Sequence, residues 1–108
     1  MQNLFKFDKL NFITAGMPIR TGKGSYPQAF DVLKEMNLDG MELEFVHGVR
    51  MSDDNRIFVK EMAKNFVITA HGPFYINLNS KEEEKIEASV QRIIDTAAVA
   101  AQAGAFSI

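Results

Sequence analysis

The chain has 108 residues, 46% of them apolar and 24% charged, which is the composition of one folded domain and excludes intrinsic disorder. Twelve basic residues against fourteen acidic ones leave a net charge of −2, which excludes a globally basic nucleic-acid clamp though not a local basic patch. Without a cysteine there is neither a disulfide framework nor a thiolate metal site, so any metal must sit on His, Asp or Glu. No run approaches the ~18 apolar residues of a membrane span. Lys6, Asp8 and Lys9 break up the start, so it does not read as a signal peptide. A cytoplasmic protein is the expectation.

In chain order, Leu10–Ile19 is an apolar run closed by Gly16 and Pro18 and reads as a buried strand. Ser25 can cap a helix with Pro27 in its first turn, and Ala29, Phe30, Leu33 and Met36 give that helix an apolar stripe. Asp39-Gly40 is a turn signal. The segment Met41–Val46 alternates strictly, with Met41, Leu43 and Phe45 on one face of a strand and Glu42 and Glu44 on the other. Ser52 can cap a second helix, with Asp53 and Asp54 at its positive end and Ile57 or Phe58, Met62 and Phe66 on its apolar side.

Val67–Ala70 is an apolar third strand running into His71-Gly72-Pro73. Ser80-Lys81-Glu82-Glu83 fits a capping box for a long helix carried by Ile86, Val90, Ile93, Ala97 and Ala101, with Gly104 as its terminator. Ala105–Ile108 reads as the opening of a fourth strand.

The order β-α-β-α-β-α-β implies a parallel α/β sheet. Two carboxylates on one face of a strand suit a (β/α)8 barrel, whose mouth gathers polar groups, better than a doubly wound sheet. A whole barrel takes about 250 residues. The expectation is therefore that residues 1–108 are the N-terminal part of an incomplete barrel, about the first three βα units and the start of strand four. An open half-barrel leaves a strand edge exposed, so a homodimer or larger assembly is expected of the isolated chain, and a clean monomer in light scattering would overturn that.

Ligands bind at the C-terminal edges of parallel strands, so strand-end residues are the site candidates. His71 closes an apolar strand before Gly-Pro, where a neutral imidazole is a good zinc or manganese ligand; the alternative is a helix-facing or partly buried histidine hydrogen-bonded to a carbonyl. Glu42 and Glu44 must pair, share a proton or meet a cation inside a barrel, unless they form a solvated edge face. His47, in the following loop, reads as a surface histidine, with a ligand as the alternative. Arg50, between Val49 and Met51, can touch a phosphate or enter a base stack, or remain a surface cation. Phe74 and Tyr75 can stack on a base or sugar, or pin their loop to a helix. No phosphate-binding glycine motif and no Ser-His-Asp constellation is present.

The string ITAHGPFYINLNS around His71 is similar to the third-strand motif of the endonuclease IV family of apurinic/apyrimidinic endonucleases, and GMELEFVHGVRMS resembles that family's second-strand segment. The wider superfamily is that of the xylose-isomerase-like TIM barrels, which share the Gly-x-Glu-Leu pattern of Gly40–Leu43. The resemblance implies a zinc-dependent phosphodiesterase of DNA repair, cutting DNA 5′ to an abasic site through clustered zinc ions. By position, it makes His71 a zinc ligand and puts the family's other ligands beyond strand four; Glu44 and Glu42 stay metal candidates from their place on one strand face alone. It also places Arg50 and Phe74 against DNA, with Tyr75 a further DNA-binding candidate as the aromatic next to Phe74. Catalytic residues are not assigned, and the isolated chain is expected to be inactive. Two departures stand out: Thr14-Ala15-Gly16 occupies the place of a first-strand histidine, and Glu42 and Glu44 replace apolar residues. Both point to the alternative of a sugar isomerase or epimerase of the same superfamily, using manganese or magnesium. A non-catalytic, self-associating half-barrel is a third reading.

Overall fold

The computed structural model describes residues 9–108. Lys6 and Asp8, which interrupt the N-terminal apolar stretch, lie outside them. Three short strands, β1 (Ile13–Ala15), β2 (Gly40–Glu44) and β3 (Val67–His71), alternate with three helices, α1 (Tyr26–Glu35), α2 (Asp53–Met62) and α3 (Glu83–Gln102). The strands are all parallel, in the order β1-β2-β3.

The local signals of the two shorter helices act as expected. Gln28 Oε1 accepts the Ser25 N–H at 2.9 Å, with Pro27 in the first turn of α1, and Ser52 Oγ accepts the Asn55 N–H at 3.2 Å to start α2. Helix α3 ends where Gly104, at φ +80°, adopts a conformation that side-chain-bearing residues avoid.

Parallel register gives the sheet two unlike faces. Met41, Leu43, Ile68 and Ala70 point to the helices and join Ala29, Phe30, Leu33, Val59 and Ala63 in the buried core. Phe30 is its centre, with edge-on contacts to Phe58 at 5.9 Å and Phe66 at 5.1 Å. On the opposite face the register stacks Ile13, Gly40 and Val67 at the base, Ala15, Glu42 and Thr69 in the middle, and Glu44 beside His71 at the C-terminal edge. The alternation of β2 therefore sorts apolar from acidic side chains as its sequence requires.

Several expectations are corrected. Only Ile13–Ala15 of the first apolar run is a strand, because Ile19 enters a single 3-10 turn with its side chain in solvent. Gly40 opens β2 instead of closing a turn. The Ser80 capping box does not form: Ser80 Oγ takes the Glu82 N–H at 3.1 Å, and α3 starts at Glu83 with Glu82 at its N-cap. The buried stripe of α3 is Ser89, Thr96 and Ala100, followed by Ala103, while Val90, Ala97 and Ala101 face outward. Small residues win that face because the helix lies close to the sheet. On α2, Ile57 is exposed and Val59 is buried. The last segment is not a regular strand, yet Phe106 N–H donates to Ile68 O and Ala70 N–H to Ser107 O, so it lies along β3 in the fourth position.

The base of the sheet is tied by Asp39. Its carboxylate accepts the Phe12 N–H at 2.7 Å and Lys9 Nζ at 2.9 Å, and its backbone bonds to both neighbours of β2, from Asp39 N–H to Phe12 O and from Val67 N–H to Asp39 O. The Phe12 N–H first, and Lys9 second, hold the Asp39 carboxyl below its usual range. A lowered folded pKa means that the unfolded chain takes up the proton first, so this contribution is complete at neutral pH and disappears as the pH falls through the lowered value. Asp39→Asn is expected to lower the urea midpoint at pH 7 and to flatten the acid limb of a stability–pH curve. An unaltered acid limb in the variant would show that Asp39 has no part in it.

Candidate active site at the strand ends

Backbone geometry assembles the acidic side of the site. At β1's end Gly16, at φ +78°, donates its N–H to Glu42 O at 3.0 Å. A Cβ there would stand 3.0 Å from Glu44 Cγ, so the glycine leaves the space in which the Glu44 side chain lies. Glu42 is half-buried between Ala15 and Thr69 in the register, and Glu44 is exposed opposite His71. Gly16, Met17, Tyr26 and the β2 residues from Met41 to Glu44 line a cleft of about 220 Å³ at this edge.

Desolvation is the main force raising the Glu44 pKa; a hydrogen bond to Glu42 and the charge of Glu42 add to it, and His71 opposes it. The two carboxylates thus stand close enough on one strand face for each other's charge to be felt, with His71 nearby as the opposing influence. The Thr69 hydroxyl, from the same face, is buried without a hydrogen-bond partner.

His71 is exposed at the end of β3, with Nδ1 2.6 Å from Gly72 O. A carbonyl only accepts, so Nδ1 carries the proton and donates it, and in the neutral ring Nε2 keeps its lone pair. The carbonyl bond of the alternative reading is present, but the histidine is exposed and turned away from the helices; such a bond is also what orients a ligating imidazole.

The rim beyond is aromatic. Phe74 N–H donates to Val46 O, joining the loops after β3 and β2. The Phe74 ring is 69% exposed, edge-on to Tyr75 at 5.2 Å and to His47 at 5.9 Å. Arg50 is exposed on the β2–α2 loop. His47 lies on the surface as expected and also packs on Phe74. One residue escaped the sequence reading: Arg92 of α3 covers the Tyr75 ring at 4.6 Å, and its place among the apolar residues of α3 is the one local signal that could have drawn attention to it.

Residues 30–108 match the family model of the xylose isomerase-like TIM barrels. The chain belongs to that family. The xylose isomerase-like barrel explains the two faces of the sheet: helices cover the apolar face, and the face with Glu42, Glu44 and His71 looks into the barrel towards its C-terminal mouth. The chain is similar, at 50% identity over 90 residues, to an uncharacterized protein of Methanocaldococcus jannaschii. The match covers 83% of this chain and 32% of the relative, so the chain spans about a third of that protein's length. No solved structure matches it. Among the described residues no helix is long and apolar enough to cross a membrane.

Proposed function

We propose that this chain is the N-terminal part of a metal-dependent phosphodiesterase of the endonuclease IV type, acting on abasic sites in DNA in the cytoplasm. The observation that carries this reading is His71. Its ring is oriented by Gly72 O with Nε2 free, at a strand end flanked by Glu44 and by the loops that bear Arg50, Phe74 and Tyr75. The exposed Phe74 ring offers a stacking surface to a nucleobase or sugar, backed by Tyr75 under Arg92, and Arg50 offers a cation to a phosphate.

Zinc is the metal this reading implies, and it takes three or four protein ligands. His71, Glu44 and Glu42 are the candidate donors, but no group of three among the described residues is arranged to hold a metal. These residues supply part of a metal site, and its remaining ligands would come from the rest of the barrel. By themselves, Glu42 and Glu44 form an acidic pair in which burial and the Glu42 charge raise the Glu44 pKa, and His71 presents an acceptor nitrogen.

The neighbouring carboxyls favour the second reading, a sugar isomerase or epimerase with manganese or magnesium, because a Glu44 whose pKa is raised by burial and by Glu42 suits proton transfer on a sugar. The test is a full-length protein containing this chain, loaded with zinc and given an abasic-site oligonucleotide. Incision 5′ to the lesion with a 3′-hydroxyl product is expected. Manganese-dependent isomerisation of an aldose without incision would replace the first reading with the second.

A further inference from the structure

A second cleft, of about 410 Å³, opens beside the strand-end site, between α3 and the loops after β2 and β3, and shares Tyr75 with its rim. Its volume falls within the range of small-molecule pockets. Val49, Pro73, Ala98 and Val99 form its apolar wall, and Tyr75, Arg92 and Asp95 its polar one. Both walls come from neighbouring βα units of this chain.

Arg92 is the unexplained group. It is half-buried over the Tyr75 ring, 4.6 Å from its centroid, and among the described residues no carboxylate forms an ion pair with it. Asp95, one turn along the same helix, takes the Gln91 amide at 2.9 Å instead. The stack is braced from behind, because Phe74 packs edge-on against Tyr75 and His47 against Phe74. A guanidinium fixed by a ring, with its donors unclaimed by protein acceptors, is pre-organised for a planar or tetrahedral anion. The Asp95 carboxylate on the same wall disfavours a polyanion and favours a ligand whose next group is a hydrogen-bond donor.

We infer that this cleft is a binding site for a small hydroxylated anion, a phosphate monoester or hydroxy acid, held by Arg92 with Asp95 taking a hydroxyl. The inference goes beyond the proposed hydrolysis and rests on neither His71 nor a metal.

The test is a nuclear magnetic resonance titration of the chain with glycerol 3-phosphate, glycerate and inorganic phosphate, followed at the Arg92 side-chain N–H and the Tyr75 ring. Saturable shifts at both are expected, with glycerol 3-phosphate or glycerate ahead of inorganic phosphate. Arg92→Gln should weaken binding about tenfold or more, the loss expected for a charge-assisted hydrogen bond, and Arg92→Lys should restore part of it. Asp95→Asn should tighten inorganic phosphate and erase the preference for the hydroxylated ligands. Unsaturable shifts, or equal binding by wild type and Arg92→Gln, would overturn the site. Displacement of glycerol 3-phosphate by a short oligothymidylate at lower concentration would overturn the small-ligand assignment in favour of a nucleic-acid phosphate.

Discussion

Replacing Gly40 by alanine is expected to unfold the chain. Gly40 lies at the base of β2, paired with Ile13 on one side and Val67 on the other. A Cβ on it would stand 1.7 Å from Val67 O, 2.6 Å from its carbonyl carbon and 2.8 Å from its nitrogen, all of them backbone atoms that cannot rotate away. Gly40 is not among the glycines at positive φ, so the demand is for space and not for unusual torsion angles. Relief requires β2 and β3 to part, which breaks the ladder and opens the core formed by Met41, Leu43, Ile68 and Ala70. A cost above about 4 kcal/mol is expected, the rare class of single-residue effects, against a typical total of about 5–15 kcal/mol. Circular dichroism with a urea titration reads it directly. Gly22→Ala is the control: φ +61° and ψ −128° there cost a side chain about 1–3 kcal/mol, but nothing lies within 4 Å, so a smaller loss than at Gly40 is expected. Equal midpoints for wild type and Gly40→Ala would show that the two strands stand farther apart than described.

His71→Ala should produce the largest functional effect. The side chain is exposed and its ring is held by the neighbouring carbonyl of Gly72, so its removal should change stability by less than about 0.5 kcal/mol. Under the proposed function, Nε2 is a metal ligand. Outer-shell partners of a ligating histidine already cost about 10–100-fold when removed, so loss of the ligand itself should cost more than about 100-fold in incision and lower the bound zinc. The measurement is metal content by mass spectrometry on the full-length protein, beside its incision rate. A folded His71→Ala protein with undiminished zinc would remove His71 from the metal site.

The parts of this architecture that were readable in the sequence are those set by short, local rules. Period-two alternation in β2 separated Met41, Leu43 and Phe45 from Glu42 and Glu44, and thereby placed the carboxyl pair on the same face as His71. Ser25 and Ser52 marked helix starts because their side chains or near neighbours occupy otherwise unpaired N–H groups. Helix α3 resisted this reading because it carries apolar or small residues on every side. Size suggested Val90, but the closeness of sheet and helix buries Ser89, Thr96 and Ala100. The extent of β1 was unreadable for a related reason: an apolar run does not say where its partner strand stops. The role of Arg92 depends on how two loops meet, since it needs Tyr75 braced by Phe74 and His47. No spacing rule encodes that.

Each strand of the described sheet lies beside the strand that precedes it in the chain, with one helix in between. During synthesis, a new βα unit therefore meets its pairing partner as soon as it leaves the ribosome, with no long loop to close first. The structure can grow by accretion, each unit templating the next along a single advancing edge. On this view premature arrest of translation yields shorter versions of the same sheet, whose stability rises with every unit added.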